Sequence, residues 1–174
     1  MQEQGREPSR APDDARREAM RAAARRIDRV NEWLQLGGAL PPEEYGRLCQ
    51  AGITHVVDLR EGGPDDATGL EAFGLAWQHV PVPDQAAPTM EQLIATGAWL
   101  RKRHDKACAY VHCGGGFGRA STMAVGLLLL EAMPLEDAIE MVRSARPEIR
   151  INPEQLAWLR DVEARLADDL KRSG

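Results

Sequence analysis

What this sequence has little of narrows its possibilities first. Among 174 residues there are only three cysteines, Cys49, Cys108 and Cys113, an odd number with no paired spacing. That excludes a disulfide framework and predicts reduced thiols. Long hydrophobic runs are missing too: the longest, around Ala124 to Leu130, is far too short to cross a bilayer. The opening "MQEQGREPSRAPDDARREAM" lacks the apolar core of a signal peptide. A cytoplasmic protein with no membrane partner is therefore expected. An excess of basic residues is also absent. The formal charge of −5 argues against a nucleic-acid partner, because such binding needs a net basic footprint to displace counterions from phosphates. Any anionic ligand has to be met locally. Internal repeats and low-complexity tracts are absent as well.

What is there fits one α/β domain, with 43% hydrophobic and 28% charged residues. Residues 1–12 are polar, with Pro8 and Pro12, and read as a disordered tail. From Asp13 the composition turns helix-forming as far as Leu34, so residues 13–32 are expected as an N-terminal helical extension and 33–174 as the main domain. Arg17, Arg21, Arg25 and Arg29 recur every fourth residue. They read as a solvated face paired with Asp13, Glu18 and Asp28, the alternative being a stripe for an acidic partner.

The segment "PPEEYGRLCQAGI" predicts a short helix with Tyr45, Leu48 and a packed Cys49 on its apolar face, stopped by Gly52. "THVVDLR" and "LAWQHVPVP" predict strands separated by the loop "EGGPDDATG". "TMEQLIATGAWLRKRH" opens with the capping-box pair Thr89 and Gln92, with Leu93, Ile94 and Leu100 as core candidates. The strand "ACAYVHC" follows, then "RASTMAVGLLLLEAM", apolar nearly all round and so expected in the middle of the domain. "LEDAIEMVRSARP" and "PEQLAWLRDVEARLADDL" are amphipathic helices, the second with Leu156, Leu159, Val162, Leu166 and Leu170 on one side. Strands alternating with helices imply a central, mainly parallel sheet of four to five strands flanked by helices, with ligands beyond the strands' carboxyl ends.

Four glycines within five residues stand at such an end. The nucleotide pattern G-x-x-x-x-G-K-[ST] fails, since no Lys-Ser or Lys-Thr pair follows. The dinucleotide pattern G-x-G-x-x-G puts Arg119 where a third glycine must let helix and strand pack. The remaining pattern is a cysteine, five residues and an arginine: Cys113, then Gly114, Gly115, Gly116, Phe117 and Gly118, then Arg119. Glycines let the backbone curl so that its N–H groups point inward, and the helix starting near Arg119 adds its positive end. That makes a cradle for a dianion, and the same dipoles favour the thiolate of Cys113. A metal site from Cys108, His112 and Cys113 is disfavoured, because adjacent strand residues point to opposite faces.

The stretch "VHCGGGFGRASTM" resembles the signature loop of cysteine-dependent protein tyrosine phosphatases, H-C-x5-R-[ST], and within them the small atypical dual-specificity phosphatases of VHZ type. "LGGALPPEEYGRLCQAGITHVVDLREGG", "HVPVPDQAAPTMEQL" and "EMVRSARPEIRINPEQLAWL" carry the likeness across roughly Trp33 to Leu166. The resemblance implies a phosphotyrosine phosphatase-like fold and a metal-independent, cofactor-free hydrolysis. Cys113 would attack phosphorus, while Arg119 and the loop N–H groups of Gly114 to Gly118 hold the oxygens. The family's general acid comes from a loop upstream, where "VPVPD" places Asp84; Asp58, Asp65 and Asp66 are the alternatives. His112 would orient the loop. One departure stands out: the family's Ser or Thr after the arginine is Ala120 here, with Ser121 one residue on as a partial substitute.

Neutral walls around the cradle, with Phe117 at its entrance, favour phosphotyrosine in a phosphorylated protein or peptide, with tolerance for phosphoserine or phosphothreonine. The alternatives are a related RNA 5′-triphosphatase or arsenate reductase, or a phosphate-reading interaction module with weak turnover.

Overall fold

The computed structural model describes residues 11–102 and 107–173. In chain order its elements are α1 (Ala11–Ala24), β1 (Ile27–Arg29), β2 (Leu34–Gly38), a single 3-10 turn at Pro42–Glu44, α2 (Gly46–Gln50), β3 (His55–Asp58) and α3 (Ala67–Ala72). After these come β4 (Ala76–His79), α4 (Met90–Arg101), β5 (Ala109–Cys113), α5 (Arg119–Leu130), α6 (Leu135–Ala145) and α7 (Pro153–Ser173). The five strands form one sheet in the order β1-β2-β5-β3-β4. Every pairing is parallel except β1 with β2, so the expected mainly parallel sheet is what the chain forms.

Alternation along β5 divides the core. Ala109, Val111 and Cys113 join the larger apolar cluster, built with Leu34, Leu36, Val57 and the helices α4 to α7. Cys108 and Tyr110 face the smaller one, with Tyr45, Leu48, Val56 and Leu70 beneath α2 and α3. Successive strand side chains leave opposite faces, so β5, paired on both sides, serves two cores at once. Its partner α5 is buried from Ala120 through Leu129, as its uniform apolarity predicts. Each large side chain there, such as Met123 or Leu128, contributes about 2 kcal/mol of burial. The Thr89–Gln92 capping box that starts α4 is present in full; residues 103 and 104, expected in the same helix, lie outside the described residues.

Several expectations need correction. The N-terminal helix ends at Ala24, not near Leu34, and β1 and β2 take up the rest of the segment. The Asn31 side chain accepts from the N–H groups of Trp33 and Leu34, closing a hairpin turn that lets Ile27–Arg29 pair with β2. Sheet pairing thus overrides the local helix propensity, and Arg29 leaves the proposed four-residue stripe. Ala11 and Pro12, expected in the tail, begin α1, while residues 1–10 lie outside the described residues. Cys49 is exposed rather than packed, because α2 is only five residues long and buries Leu48 alone. Ile94 is 49% exposed and Leu170 69%, both on helix faces turned away from the core. No helix among the described residues is long and apolar enough to cross a membrane.

Candidate active site

Cys113, the last residue of β5, is 4% exposed, and the chain leaves it through the five-residue loop into α5. A trans peptide unit points its C=O and the next residue's N–H in opposite directions, so fixing a carbonyl outward turns an N–H inward. Here each loop carbonyl has an outside donor. The Gly114 carbonyl accepts from the Ala39 N–H at 3.1 Å, and that of Phe117 from the Arg150 N–H at 2.7 Å. Arg146 Nη2 donates to the Gly115 carbonyl at 2.8 Å, and Ser121 Oγ to that of Gly116 at 3.4 Å. The Gly118 carbonyl takes both the N–H and the hydroxyl of Thr122, each at 2.9 Å. The result is a ring of inward N–H groups; that of Gly116 donates to Cys113 Sγ at 3.3 Å. Gly116 has φ +76, and a Cβ there would strike the Gly37 backbone, so only glycine lets the loop lie against β2.

Arg119 opens α5 at the rim. Its guanidinium donates to the Val82 carbonyl at 3.0 Å and pairs with Asp84 Oδ1 at 3.2 Å. Asp84 itself is 73% exposed, on a loop folded over the cradle. The start of α7 fastens that loop: Asn152 Nδ2 donates to the Gln85 carbonyl at 2.7 Å and Gln155 Nε2 to that of Ala86 at 3.0 Å. Glu61 accepts from the Asp84 N–H at 3.3 Å.

Behind the loop, on the opposite face of β5, His112 donates from Nε2 to Asp65 at 2.6 Å and stacks on Tyr110 with ring centres 5.5 Å apart. Burial pushes the Asp58 carboxyl up, but hydrogen bonds from Arg60, together with the electrostatic influence of nearby His112, outweigh it and hold it below the ordinary value. Arg60 also pairs with Asp65 at 2.9 Å. Asp58, Asp65 and His112 bring three ligand atoms within 4.8 Å of one another, yet the Arg60 guanidinium already bonds both carboxylates. The set is spent on a buried ion pair.

A stability prediction follows from Asp58. A depressed folded value means stabilisation present above the unfolded-state value and lost as pH falls through the folded one. Asp58→Asn is expected to remove about 3 kcal/mol at neutral pH and to flatten the acid limb of stability against pH. Denaturant unfolding at several pH values reads both, and an unchanged acid limb would contradict it.

Of the residues expected from sequence, Cys113, the loop and Arg119 come together, with Asp84 across the rim. Asp58 and Asp65 are buried behind the loop and cannot reach a substrate there; Asp66 stands at the N-terminal end of α3. The Ser121 hydroxyl lies against the Gly116 carbonyl, so it props the loop rather than replacing the missing hydroxyl at Ala120. Sequence reasoning missed Arg146, Asn152 and Gln155. Asn152 and Gln155 cap each other's N–H groups, a pattern legible in "NPEQ"; Arg146 gave no local signal.

A cysteine at the end of a central parallel strand, a carbonyl-out loop and an arginine at the next helix's first turn define the class of cysteine-dependent phosphatases. The family model described as Swiss Army Knife protein, DSP-PTPase phosphatase domain, matches residues 39–166, and the chain belongs to that family. It is similar to dual specificity protein phosphatase 13B of Mus musculus, 31% identical over 134 residues, covering 69% of this chain and 66% of that protein. It is also similar to phosphatidylglycerophosphate phosphatase PTPMT2 of Arabidopsis thaliana, 26% identical over 133 residues, covering 74% of this chain and 58% of the relative. Thus the chain spans somewhat less than two thirds of these relatives. Among solved structures, human DUSP28 superposes with a TM-score of 0.72 at 28% identity, covering 82% of this chain and 99% of that one.

Proposed function

We propose that the chain hydrolyses phosphate monoesters, phosphotyrosine first and phosphoserine or phosphothreonine second, in phosphorylated proteins or peptides. The observation that carries this is the ring of outward-fixed carbonyls around Cys113, with Arg119 and Asp84 facing each other across its rim. Cys113 sulfur forms a bond to phosphorus as the ester oxygen leaves, and Asp84 gives that oxygen its proton. Water then attacks the phosphocysteine, Asp84 takes the water's proton, and phosphate departs from the restored thiolate. Arg119 exchanges the Val82 carbonyl and Asp84 for the phosphoryl oxygens, on which charge develops. Neither a metal nor a cofactor enters any step.

The residues between Cys113 and Arg119 carry no charge, which supports a substrate with a single phosphate. The phosphatidylglycerophosphate phosphatase among the relatives favours a second reading, a lipid phosphate monoester. Phosphate release from a phosphotyrosyl peptide and from phosphatidylglycerophosphate vesicles, measured side by side, tests the reading. Faster turnover of the peptide is expected, faster turnover of the lipid would transfer the assignment, and binding without release from either would make the chain a phosphate-reading module.

Ala120 leaves no hydroxyl at its position to steady the departing thiolate, so breakdown of the phosphocysteine is expected to limit turnover. A stopped-flow trace with an aryl phosphate should show a burst, and Ala120→Ser should raise kcat about tenfold. A linear trace together with an unchanged kcat in Ala120→Ser would sink this idea.

A further inference from the structure

Arg146 is fully buried, with 0% exposure, and its partners Asp28 in β1 and Ala23 in α1 lie 118 and 123 residues away in sequence. Its guanidinium joins three parts of the fold. Nη2 donates to the Gly115 carbonyl and to the Ala23 carbonyl, each at 2.8 Å, and Nη1 donates to Asp28 Oδ2 at 2.6 Å. The plane also lies over the Phe117 ring, 4.9 Å from its centre. Among the described residues Nε has no acceptor. A buried guanidinium with one donor unmet is costly to stability, which argues that the position serves the loop.

Asp28 is the counter-charge that makes this burial tolerable, because a guanidinium taken out of water needs a paired anion. It is held in turn: Arg26 donates to both Asp28 oxygens, at 3.2 and 3.0 Å, and to both Glu148 oxygens, at 2.8 and 2.9 Å. The Arg26 hydrogen bond takes Glu148 down to about 2, so that carboxylate stays charged and keeps Arg26 in place. Asp28 sits on β1, and Ala23 in the last turn of α1, both before the 39–166 stretch that matches the family.

We propose that Asp28 is a positioning residue for the phosphate loop, acting through Arg146. The Gly115–Gly116 peptide is the unit concerned. Arg146 draws its carbonyl outward, and the same unit turns the Gly116 N–H onto Cys113 Sγ. With Asp28 neutral, Arg146 keeps its charge but loses its anion, and its bond to Gly115 loosens. The peptide then rotates more freely, and the thiolate loses a fixed donor. The helix-and-strand segment ahead of the family-matched region is thereby part of the phosphate-binding unit. This inference rests on the proposed role of Cys113 as the floor of the phosphate site.

The test uses the full chain with Asp28→Asn and Arg146→Lys. The second keeps a positive charge but cannot serve Asp28, Gly115 and Ala23 with one planar fork. Two readouts are taken: the rate of Cys113 alkylation by iodoacetamide against pH, and kcat and KM for an aryl phosphate. In both variants the alkylation profile is expected to move to higher pH, with kcat/KM falling about tenfold for Asp28→Asn and about a hundredfold for Arg146→Lys. A variant that is folded by circular dichroism yet keeps the wild-type alkylation profile would overturn the proposal. Should Arg146→Lys fail to fold, Asp28→Asn carries the test alone. The alkylation profile needs no turnover, so it reports on the coupling even if the wild type hydrolyses nothing, the outcome that would instead overturn the proposed function.

Discussion

Replacing Cys113 by serine is expected to abolish phosphate-monoester hydrolysis, a loss on the order of 10⁶-fold, the scale seen when a covalent nucleophile is removed. The reason lies in what surrounds the side chain. A hydroxyl at this position would need a base to take its proton, and among the described residues none is placed to do so while Asp84 carries the proton meant for the leaving oxygen. His112, the adjacent imidazole, leaves β5 from the other face, where its Nε2 is committed to Asp65. Asp84 stands across the rim, paired with Arg119. The dipoles aimed at the sulfur favour a thiolate but cannot make an alkoxide. The cradle does not depend on the sulfur, however, because its carbonyls are fixed from outside by Ala39, Arg146, Ser121, Arg150 and Thr122. Cys113→Ser is therefore expected to keep its affinity for a phosphotyrosyl peptide while releasing no phosphate. Calorimetric binding together with a phosphate-release assay checks both halves. Full activity in the variant would remove Cys113 from the mechanism.

The parts of this site that sequence made legible are those written in contiguous residues. A run from Cys113 to Arg119 states its geometry locally, because glycine freedom, helix start and arginine all fall within seven positions. The strands β3, β4 and β5 were equally open to reading, as short apolar segments bounded by loop residues. What stayed hidden depends on contacts between distant segments. Arg146 is one arginine among many until the fold sets it between Gly115 and Asp28, 31 and 118 residues away. The strand β1 was read as helix because three residues with a helix-forming run before them carry too little pattern, and only pairing with β2 decides their state. Cys49 failed for a related reason. Its spacing from Tyr45 suits a helix face, but Tyr45, just before this five-residue element, and Leu48 within it fill the contact with the core, and Cys49, one position on, is left exposed.

Asp84→Asn is expected to have an effect that depends on the leaving group, and this dependence separates an acid from a mere neighbour of Arg119. Asparagine keeps the shape, and its Oδ1 can still accept from the Arg119 guanidinium, but it has no acidic proton to give. With an alkyl phosphate such as phosphoserine, whose oxygen departs badly as an anion, kcat should fall about 10²- to 10⁴-fold. With an activated aryl phosphate the first step should be nearly unaffected, since that oxygen leaves without help. The second step still loses its base, so phosphocysteine should accumulate, visible in the intact protein as the mass of one added phosphoryl group. Because the Asp84 side chain is 73% exposed, the substitution leaves the core untouched and folding is not at stake. A uniform loss across leaving groups would mean that Asp84 only positions Arg119. No loss at all would move the acid elsewhere. Asp58 and Asp65 are held behind the loop by Arg60, so the next candidate is Glu61, which already accepts the Asp84 backbone N–H. Glu61→Gln would then show the leaving-group dependence that Asp84→Asn lacked.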